Sequence, residues 1–144
     1  MHITSYTDYS LRVLIYLSVQ GDQLTTIQQI ADSYDISKNH LMKVVHQLNR
    51  KGYIETVRGK HGGLRMHRKP EDINIGVLVR ETEDVTLLEC LGPDNGCNIS
   101  PVCGLKQIMS DALGAFFAAL DNYTLADVIK DRHQSQIMRI LQIS

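Results

Sequence analysis

The three cysteines constrain this chain more than any other feature, because they all lie in one short stretch. That stretch is CLGPDNGCNISPVC, residues 90–103, and the rest of the 144-residue sequence contains no cysteine. Its glycines, prolines and asparagines are loop-forming residues, so the stretch can bend until its thiols meet. Structural cysteines buried in a core would be scattered along the chain. The clustering predicts that Cys90, Cys97 and Cys103 act together at one centre.

The spacing of the thiols bears on the nature of that centre. Six residues separate Cys90 from Cys97, and five separate Cys97 from Cys103. Structural zinc sites usually contain cysteine pairs two to four residues apart, whereas longer loops between single thiolates suit an iron–sulfur cluster. A metal-free redox thiol pair is the third possibility, and it leaves one cysteine unexplained. From the residues alone, all three interpretations stay open.

A four-ligand metal centre in this loop lacks one ligand. The loop contains no histidine, and its other donors are the oxygens of Glu89, Asp94, Asn95 and Asn98. A weak or borrowed fourth ligand makes one iron labile, which suits a sensor better than an electron carrier. Asp8 could supply it only if folding or dimerisation brought the first helix to the loop. The dipole of that helix explains an acid there equally well.

The charge is divided unevenly along the chain, although the net charge is only −1. Residues 1–69 carry ten basic and five acidic residues, whereas residues 70–144 carry five and eleven. Residues 38–69 alone carry nine basic residues and a single acid, Glu55. A basic region on a nearly neutral chain favours a polyanion as partner, although a charged surface can also be merely solvated.

Hydrophobic periodicity predicts a helix-turn-helix unit near the N-terminus. Helices are predicted over residues 7–20, 25–34 and 38–51. The third helix is capped by Ser37, and its buried stripe is Leu41, Val44, Val45 and Leu48. In a helix-turn-helix, the start of the second helix of the pair faces the base edges of DNA. We therefore expect DNA contacts from the start and exposed face of this helix, namely Ser37, Lys38, Asn39, His40, Lys43 and Arg50.

The next segment predicts a β-hairpin with a basic tip. Residues 53–58 and 64–67 have the pattern of strands, and the glycine-rich residues 59–63 separate them. The glycines serve the turn, but a turn does not explain the four basic residues around it: Arg58, Lys60, His61 and Arg65. A helix-turn-helix followed by such a hairpin is typical of a winged helix, whose tip contacts a minor groove or phosphates.

Further helices are predicted around the cysteine loop. One covers residues 75–83, and Ser100-Pro101 predicts the start of a long helix that has Cys103 in its first turn and runs to about Tyr123. The long helix is apolar on more than one side, so we interpret it as a dimer interface rather than an intramolecular core helix. A short helix follows, and the apolar tail, residues 136–143, is expected to pack on the long helix or to fray.

These elements predict a mainly α fold with a small β-hairpin. We divide the chain into a winged-helix DNA-binding region, residues 1–83, a cysteine loop, residues 84–104, and a dimerisation helix with a C-terminal tail, residues 105–144. The sequence has no apolar run of about 18 residues, so no membrane span is expected. The N-terminus also lacks the pattern of a secretory signal, which makes a cytoplasmic location without a disulfide framework the expectation.

Four segments of the sequence resemble a known family. They are TSYTDYSLRVLIY from residue 4, ISKNHLMKVVHQL from residue 36, VRGKHGGLR from residue 57 and the three-cysteine loop. In combination they resemble the Rrf-type iron–sulfur winged-helix repressors over nearly the whole chain. The later segment LDNYTLAD, from residue 120, is similar to that of the nitric-oxide-sensitive members.

The resemblance implies a homodimer with one 4Fe–4S cluster per subunit, a 2Fe–2S cluster being the alternative. In the family the three loop cysteines bind the cluster, which here implies Cys90, Cys97 and Cys103. The fourth ligand is an aspartate early in the first helix of the other subunit, matched here by Asp8. A sister regulator instead has a histidine three residues after the third cysteine. Lys106 stands there in this chain, which argues against that ligand set.

The resemblance also implies a function, that of a repressor of nitric-oxide detoxification genes. Nitric oxide would attack the cluster, and the dimer would then release operator DNA. The alternatives are a regulator that responds to iron–sulfur status and a metal-free thiol switch. An iron–sulfur enzyme would leave the basic surface unexplained, and nothing in the sequence forms an acid–base pair, so no catalytic residue is expected. A plain interaction module would lack salt-dependent DNA binding.

Overall fold

The computed structural model describes residues 1–130 and 132–144. The helices are α1 (Ser5–Gln20), α2 (Ile27–Tyr34), α3 (Lys38–Arg50), α4 (Ile75–Thr82), α5 (Gly104–Leu120), α6 (Leu125–Ile129) and α7 (Arg132–Ile140). The strands β1 (Ile54–Val57) and β2 (Gly63–Met66) form one antiparallel pair, in which Ile54 lies opposite Met66. The predicted fold class, mainly α with a small β-hairpin, is confirmed.

Helix α1 runs through the centre of the fold. Its cap is Thr4, whose side chain accepts a hydrogen bond from the Thr7 backbone, so the helix begins two residues earlier than predicted. It packs against α3, α4, α6 and α7. Because neighbours cover several sides of it, its buried face includes Val13, Leu14 and Leu17, whereas Leu11 is only half-buried.

The predicted helix-turn-helix is present as α2 and α3. Thr26 and Gln29 form a reciprocal capping box at the start of α2, which satisfies two otherwise unpaired backbone amides. Ser37 caps α3 through a hydrogen bond from the His40 backbone amide. The apolar stripe of α3 is buried as predicted, comprising Leu41, Val44, Val45 and Leu48.

The hairpin is tied to the residue that precedes the α2 cap. The Thr25 backbone exchanges two hydrogen bonds with Leu64, of 3.1 and 2.7 Å, and so extends the sheet by one bridge. A Cβ atom at Gly63 would lie 2.7 Å from the Thr25 carbonyl oxygen, too close for any other residue without a shift. Because glycine has no Cβ atom, it allows the hairpin to lie close to the helix-turn-helix unit at this position.

The second half of the chain turns back onto α1 through α4. Asn74 caps α4 through the Val77 amide and also donates to the carbonyl oxygen of Asp121 at 2.8 Å. The carboxylate of Asp121 forms a two-point ion pair with Arg80, with distances of 2.6 and 3.0 Å. These contacts fix the end of α5 against α4. Within α5, Phe117 is the one buried side chain, and the Arg80 guanidinium lies over its ring.

The boundaries of the long helix differ from the prediction. Ser100–Val102 forms a separate 3-10 turn, and Cys103, in extended conformation, occupies the cap position before Gly104. Cys103 therefore precedes the first turn instead of lying in it. At the other end, α5 stops at Leu120, because the chain bends there so that the Tyr123 carbonyl accepts a hydrogen bond from the Ile75 amide.

The C-terminal tail packs against the DNA-binding half. Helix α7 lies on α1 and α6, and the following residues Leu141 and Ile143 are buried. The Ser33 hydroxyl at the end of α2 donates to the Leu141 carbonyl oxygen at 3.0 Å. The expectation that the tail packs on the long helix or frays was therefore wrong. Of the helices in the described part of the chain, none has the length and apolar character to cross a membrane.

Candidate DNA interface and cysteine loop

The exposed face of α3 carries the residues predicted to read DNA. Lys38, Asn39, His40, Lys43 and Arg50 are all exposed, and so is Ser37 at the cap. The Ser37 hydroxyl oxygen accepts the His40 amide, so this side chain is partly occupied with capping the helix. The amphipathic pattern of α3 produces this surface directly, because burial of the apolar stripe turns the basic residues outward. The positive charge of this exposed helix face is complementary to the phosphates that line a DNA groove.

The wing contributes a second basic surface. Arg58, Lys60 and His61 are exposed around the tip. Arg65 lies farther down on β2 and is paired with Glu55 on β1. The hydrogen bond from Arg65 is the main cause that holds the pKa of Glu55 below its ordinary value. The charge of Arg65 is thus partly balanced within the hairpin.

An open groove between α3 and the hairpin is lined in part by residues that the sequence analysis did not assign to the DNA interface. Met42 and Asn49 line it from α3, and Thr56 lines it from β1, beside Lys43, His46 and Arg58. The Thr56 hydroxyl donates to the Asn49 side-chain oxygen at 3.3 Å and so connects the helix with the wing. The sequence does contain a pattern that indicates this side of α3. Residues 42, 46 and 49 are spaced by four and three, so they lie on one side of the helix, next to the residues predicted to contact DNA.

The cysteine loop has free thiols in three different settings. Cys90 lies in a 3-10 turn and is half-buried, Cys97 is exposed, and Cys103 is half-buried at the cap of α5. Asn95 shapes the tip of the loop, because its side chain accepts from the Cys97 amide and donates to the Ser100 hydroxyl. Over residues 1–130 and 132–144, no three histidine, cysteine or acidic side chains form a group that could hold a metal ion.

The chemistry of the donors nevertheless suits a sulfur-rich iron centre. Three thiols lie within fourteen residues, without a competing disulfide, on a loop whose glycines and prolines allow it to bend. The first helix has one carboxylate that could act as a further ligand, that of Asp8. In the structure both Asp8 oxygens are bound by the Arg12 guanidinium, each at 3.1 Å. In the described residues of the single chain, the three thiols and Asp8 are not brought together at one site.

The root of the cysteine loop is fastened to the start of α1. The Glu83 carboxylate accepts hydrogen bonds from the Thr4 amide at 3.1 Å, the Thr4 hydroxyl at 3.0 Å and the Thr7 hydroxyl at 2.5 Å. Partial burial acts to raise the pKa of Glu83, but these three hydrogen bonds outweigh it and lower the pKa below its ordinary value. Residues 84–104 therefore leave the fold beside the turn that carries Asp8.

Helix α5 presents an apolar face that the described residues of this chain leave uncovered. Leu105 is 52% exposed, Ile108 63% and Phe116 37%, at spacings of three and eight residues along one side. Beside this face lies an apolar cleft of about 320 Å³, lined by Val79 and Leu113 among others. Large side chains exposed in a row on a regular helix are typical of an interface with another chain.

The fold and the basic surface together define a winged-helix DNA-binding regulator. Comparison with known proteins agrees with this class. The sequence matches the family Rrf2, described as iron-dependent transcriptional regulators, over residues 3–131. The chain belongs to this family.

One relative is similar over essentially the whole chain. It is the HTH-type transcriptional regulator NsrR of Bacillus subtilis (strain 168), which is 52% identical over 146 residues that cover 99% of this chain and 99% of the relative. The resemblance inferred from the four sequence segments is therefore confirmed, and with it the closer similarity to this kind of regulator. Because the family consists of transcriptional regulators, the prediction that the chain is not an enzyme is confirmed as well.

Solved structures share the fold. T. potens IscR has a TM-score of 0.74 at 23% identity and covers 94% of this chain and 91% of that one. The oxidized form of Staphylococcus aureus CymR has a TM-score of 0.73 at 26% identity and covers 91% of this chain and 98% of that one. The likeness to IscR shows the fold alone.

Proposed function

We propose that the chain is a homodimeric repressor whose iron–sulfur cluster senses nitric oxide. On nitrosylation the dimer releases operator DNA, and genes for nitric-oxide detoxification are expressed. The observation that carries this proposal is the attachment of the cysteine loop to α1 through Glu83. Helix α1 packs against α3, so the loop that would hold the sensor and the helix that would read DNA share one rigid neighbour.

The DNA contacts come from α3 and the wing. Lys38, Asn39, His40 and Lys43 lie at the start of α3, where a helix-turn-helix protein meets base edges. Arg50 at the end of α3 and Lys60 at the wing tip reach phosphates, which position the protein on the duplex. The complete set is Ser37, Lys38, Asn39, His40, Lys43, Arg50, Arg58, Lys60, His61 and Arg65. The basic charge of residues 38–69 supports a steep salt dependence of binding.

The homodimer forms through the uncovered face of α5. Leu105, Ile108 and Phe116 supply its apolar surface, and the small residues between them allow a second helix to approach closely. A two-fold dimer presents two copies of α3 to half-sites about one turn of DNA apart. The dimer works in the cytoplasm, where its operator is.

The cluster is held by Cys90, Cys97 and Cys103 together with Asp8 of the partner subunit. We propose a 4Fe–4S cluster in each subunit, with a 2Fe–2S cluster as the alternative. Bound iron supplies the site at which nitric oxide reacts. The three thiolates and the carboxylate link the two subunits, because their ligation of one cluster holds the loop against α1 of the partner. A carboxylate is a weak ligand beside three thiolates, which suits a sensor that must respond.

When ligation is lost, the loop is free between Glu83 and Gly104. Glu83 remains bound to the first turn of α1, and the start of α5 is no longer held against the partner. The separation of the two α3 helices then no longer matches the half-sites. To move operator occupancy from nearly full to nearly empty, the two states must differ in DNA binding by about 5.5 kcal/mol.

The test is operator binding before and after nitric oxide. Protein reconstituted without oxygen would first select duplexes from a random DNA library, and the selected duplex would then serve as the operator. We expect nanomolar binding that weakens by several orders of magnitude after nitric oxide. Equal affinity before and after treatment would contradict the proposal.

A metal-free thiol switch is the second candidate, because the three thiols are free and ungathered in the single chain. In that case protein purified anaerobically without iron would be colourless and would bind the same duplex fully. A regulator of iron–sulfur status is the other alternative. It would lose DNA binding when iron is withheld from growing cells, without any exposure to nitric oxide.

A further inference from the structure

The carboxylate proposed as the fourth ligand is part of a chain of contacts inside its own subunit. Asp8 binds Arg12 through both oxygens, one turn along α1. The Arg12 guanidinium lies 5.6 Å from the ring centroid of Tyr9 and 5.7 Å from that of Tyr34. The Tyr34 hydroxyl, at the end of α2, donates to the Arg12 carbonyl oxygen at 2.8 Å. Arg12 is thus held between the carboxylate and two aromatic rings.

The chain of contacts ends at the helix that reads DNA. The Tyr9 ring meets the ring of His40 edge-on, with centroids 4.7 Å apart and planes at 66°. His40 lies in the first turn of α3, where its backbone amide is bound by the Ser37 cap. Tyr9 follows Asp8 directly in the sequence, so one residue of α1 is the proposed cluster ligand and the next contacts the recognition helix.

We propose that Arg12 and Tyr9 are positioning residues that carry the state of Asp8 to His40 at the start of α3. This inference deepens the proposed function, because it supplies the step between ligation and DNA reading. A carboxylate that ligates a metal shares its negative charge with the metal, so it binds a guanidinium more weakly than a free carboxylate does. When the partner's cluster takes Asp8, the ion pair between Asp8 and Arg12 weakens, and the position of Arg12 between the rings of Tyr9 and Tyr34 changes.

The physical basis lies in the interactions of Arg12 with its neighbours. A cation near an aromatic face is attracted to it, and the attraction depends on how far the cation is neutralised by an adjacent anion. Edge-to-face ring pairs have a preferred geometry, so a shift of Tyr9 is felt by His40. The direction of signalling is crosswise in a dimer, because the cluster of one subunit would act on the recognition helix of the other.

The first test uses the cluster-free chain and does not depend on the cluster. Asp8→Asn weakens the pair with Arg12, and the His40 ring protons are observed by NMR. We expect these signals to shift in the natural background and in Tyr9→Phe, which keeps the ring, but not in Tyr9→Leu, which removes it. His46, farther along α3, is the internal control and should not shift. A shift of His40 that persists in Tyr9→Leu would overturn the relay, and so would the absence of a shift in the natural background.

The second test compares operator affinity with and without the cluster. Tyr9→Leu should reduce the ratio of the two affinities by about tenfold or more, within the range of measured coupling between sites. Tyr9→Phe should leave the ratio within about twofold of the natural protein. An unchanged ratio in Tyr9→Leu refutes the relay while the proposed function stands. If the natural protein binds the operator equally well with and without the cluster, the proposed function fails. In that case the NMR signals of His40 alone test whether Asp8 is coupled to α3 through Arg12 and Tyr9.

Discussion

Glu83 accepts a hydrogen bond from the Thr7 hydroxyl at 2.5 Å, across 76 residues of sequence. The same carboxylate also binds the Thr4 amide and hydroxyl. It thereby joins the last residue before the cysteine loop to the first turn of α1. A conformational change in the cysteine loop can therefore act on the first turn of α1, which carries Asp8.

Replacement of Glu83 by glutamine should make this connection insensitive to pH. The pKa of Glu83 lies below its ordinary value of about 4.5. The charge therefore contributes stability that is fully present above pH 4.5 and is lost as the pH falls through the lower, folded-state pKa. At pH 7 we expect Glu83→Gln to lower the free energy of unfolding by about 1 kcal/mol. Urea unfolding of both proteins at pH 7, 5 and 3 should show the gap closing in acid, whereas a constant gap contradicts the assignment.

Two neighbouring phenylalanines of α5 should behave differently when shortened. Phe117 is buried against α4 with Arg80 over its ring, so Phe117→Ala should lower the free energy of unfolding by about 3 kcal/mol. Phe116 is exposed in the single chain, so Phe116→Ala should instead weaken self-association by about tenfold or more. Urea unfolding and analytical ultracentrifugation measure the two effects. If Phe116→Ala leaves association unchanged, α5 is not the dimer interface.

Basic residues of the wing should contribute to DNA binding according to how free their charge is. Lys60→Gln should weaken binding to all sequences alike and reduce the salt slope by about one unit. Arg65→Gln should have a smaller effect, because Glu55 already balances Arg65. Lys130→Gln, outside the basic region, serves as the matched control and should change nothing. Titrations at several salt concentrations give the slopes, and equal slopes for all three variants would contradict the predicted interface.

Asp8→Ala should separate the ligand interpretation from a purely structural one. If Asp8 of the partner subunit binds the cluster, the variant should lose the cluster at least about tenfold faster. Replacing even a residue that only hydrogen-bonds to a metal ligand typically lowers metal affinity by about tenfold or more. The absorption spectrum with iron and sulfide analysis of oxygen-free protein measures the loss. Asp22→Ala, beyond the end of α1, is the control. An unchanged cluster lifetime would leave Asp8 as the partner of Arg12 and a stabiliser of the helix start.

Several features of the molecule followed from residues close together in sequence. The Ser37 cap, the buried stripe of α3 that begins with Leu41, and the basic wing tip could all be predicted, because each depends on spacings of a few residues. The short spacing of the three cysteines also predicts a shared centre, which stays a prediction.

Other features were decided only by the tertiary structure, because their partners are far apart along the chain. The tail was expected on α5 or free, but it lies on α1 and α6, where Leu141 finds a buried position. Cys103 precedes α5 because Ser100–Val102 closes its own 3-10 turn. The hydrogen bond from Thr7 to Glu83 joins α1 to the residue after α4, and the ring contact of Tyr9 with His40 joins α1 to α3. No local pattern encodes such contacts, since they arise when packed helices meet.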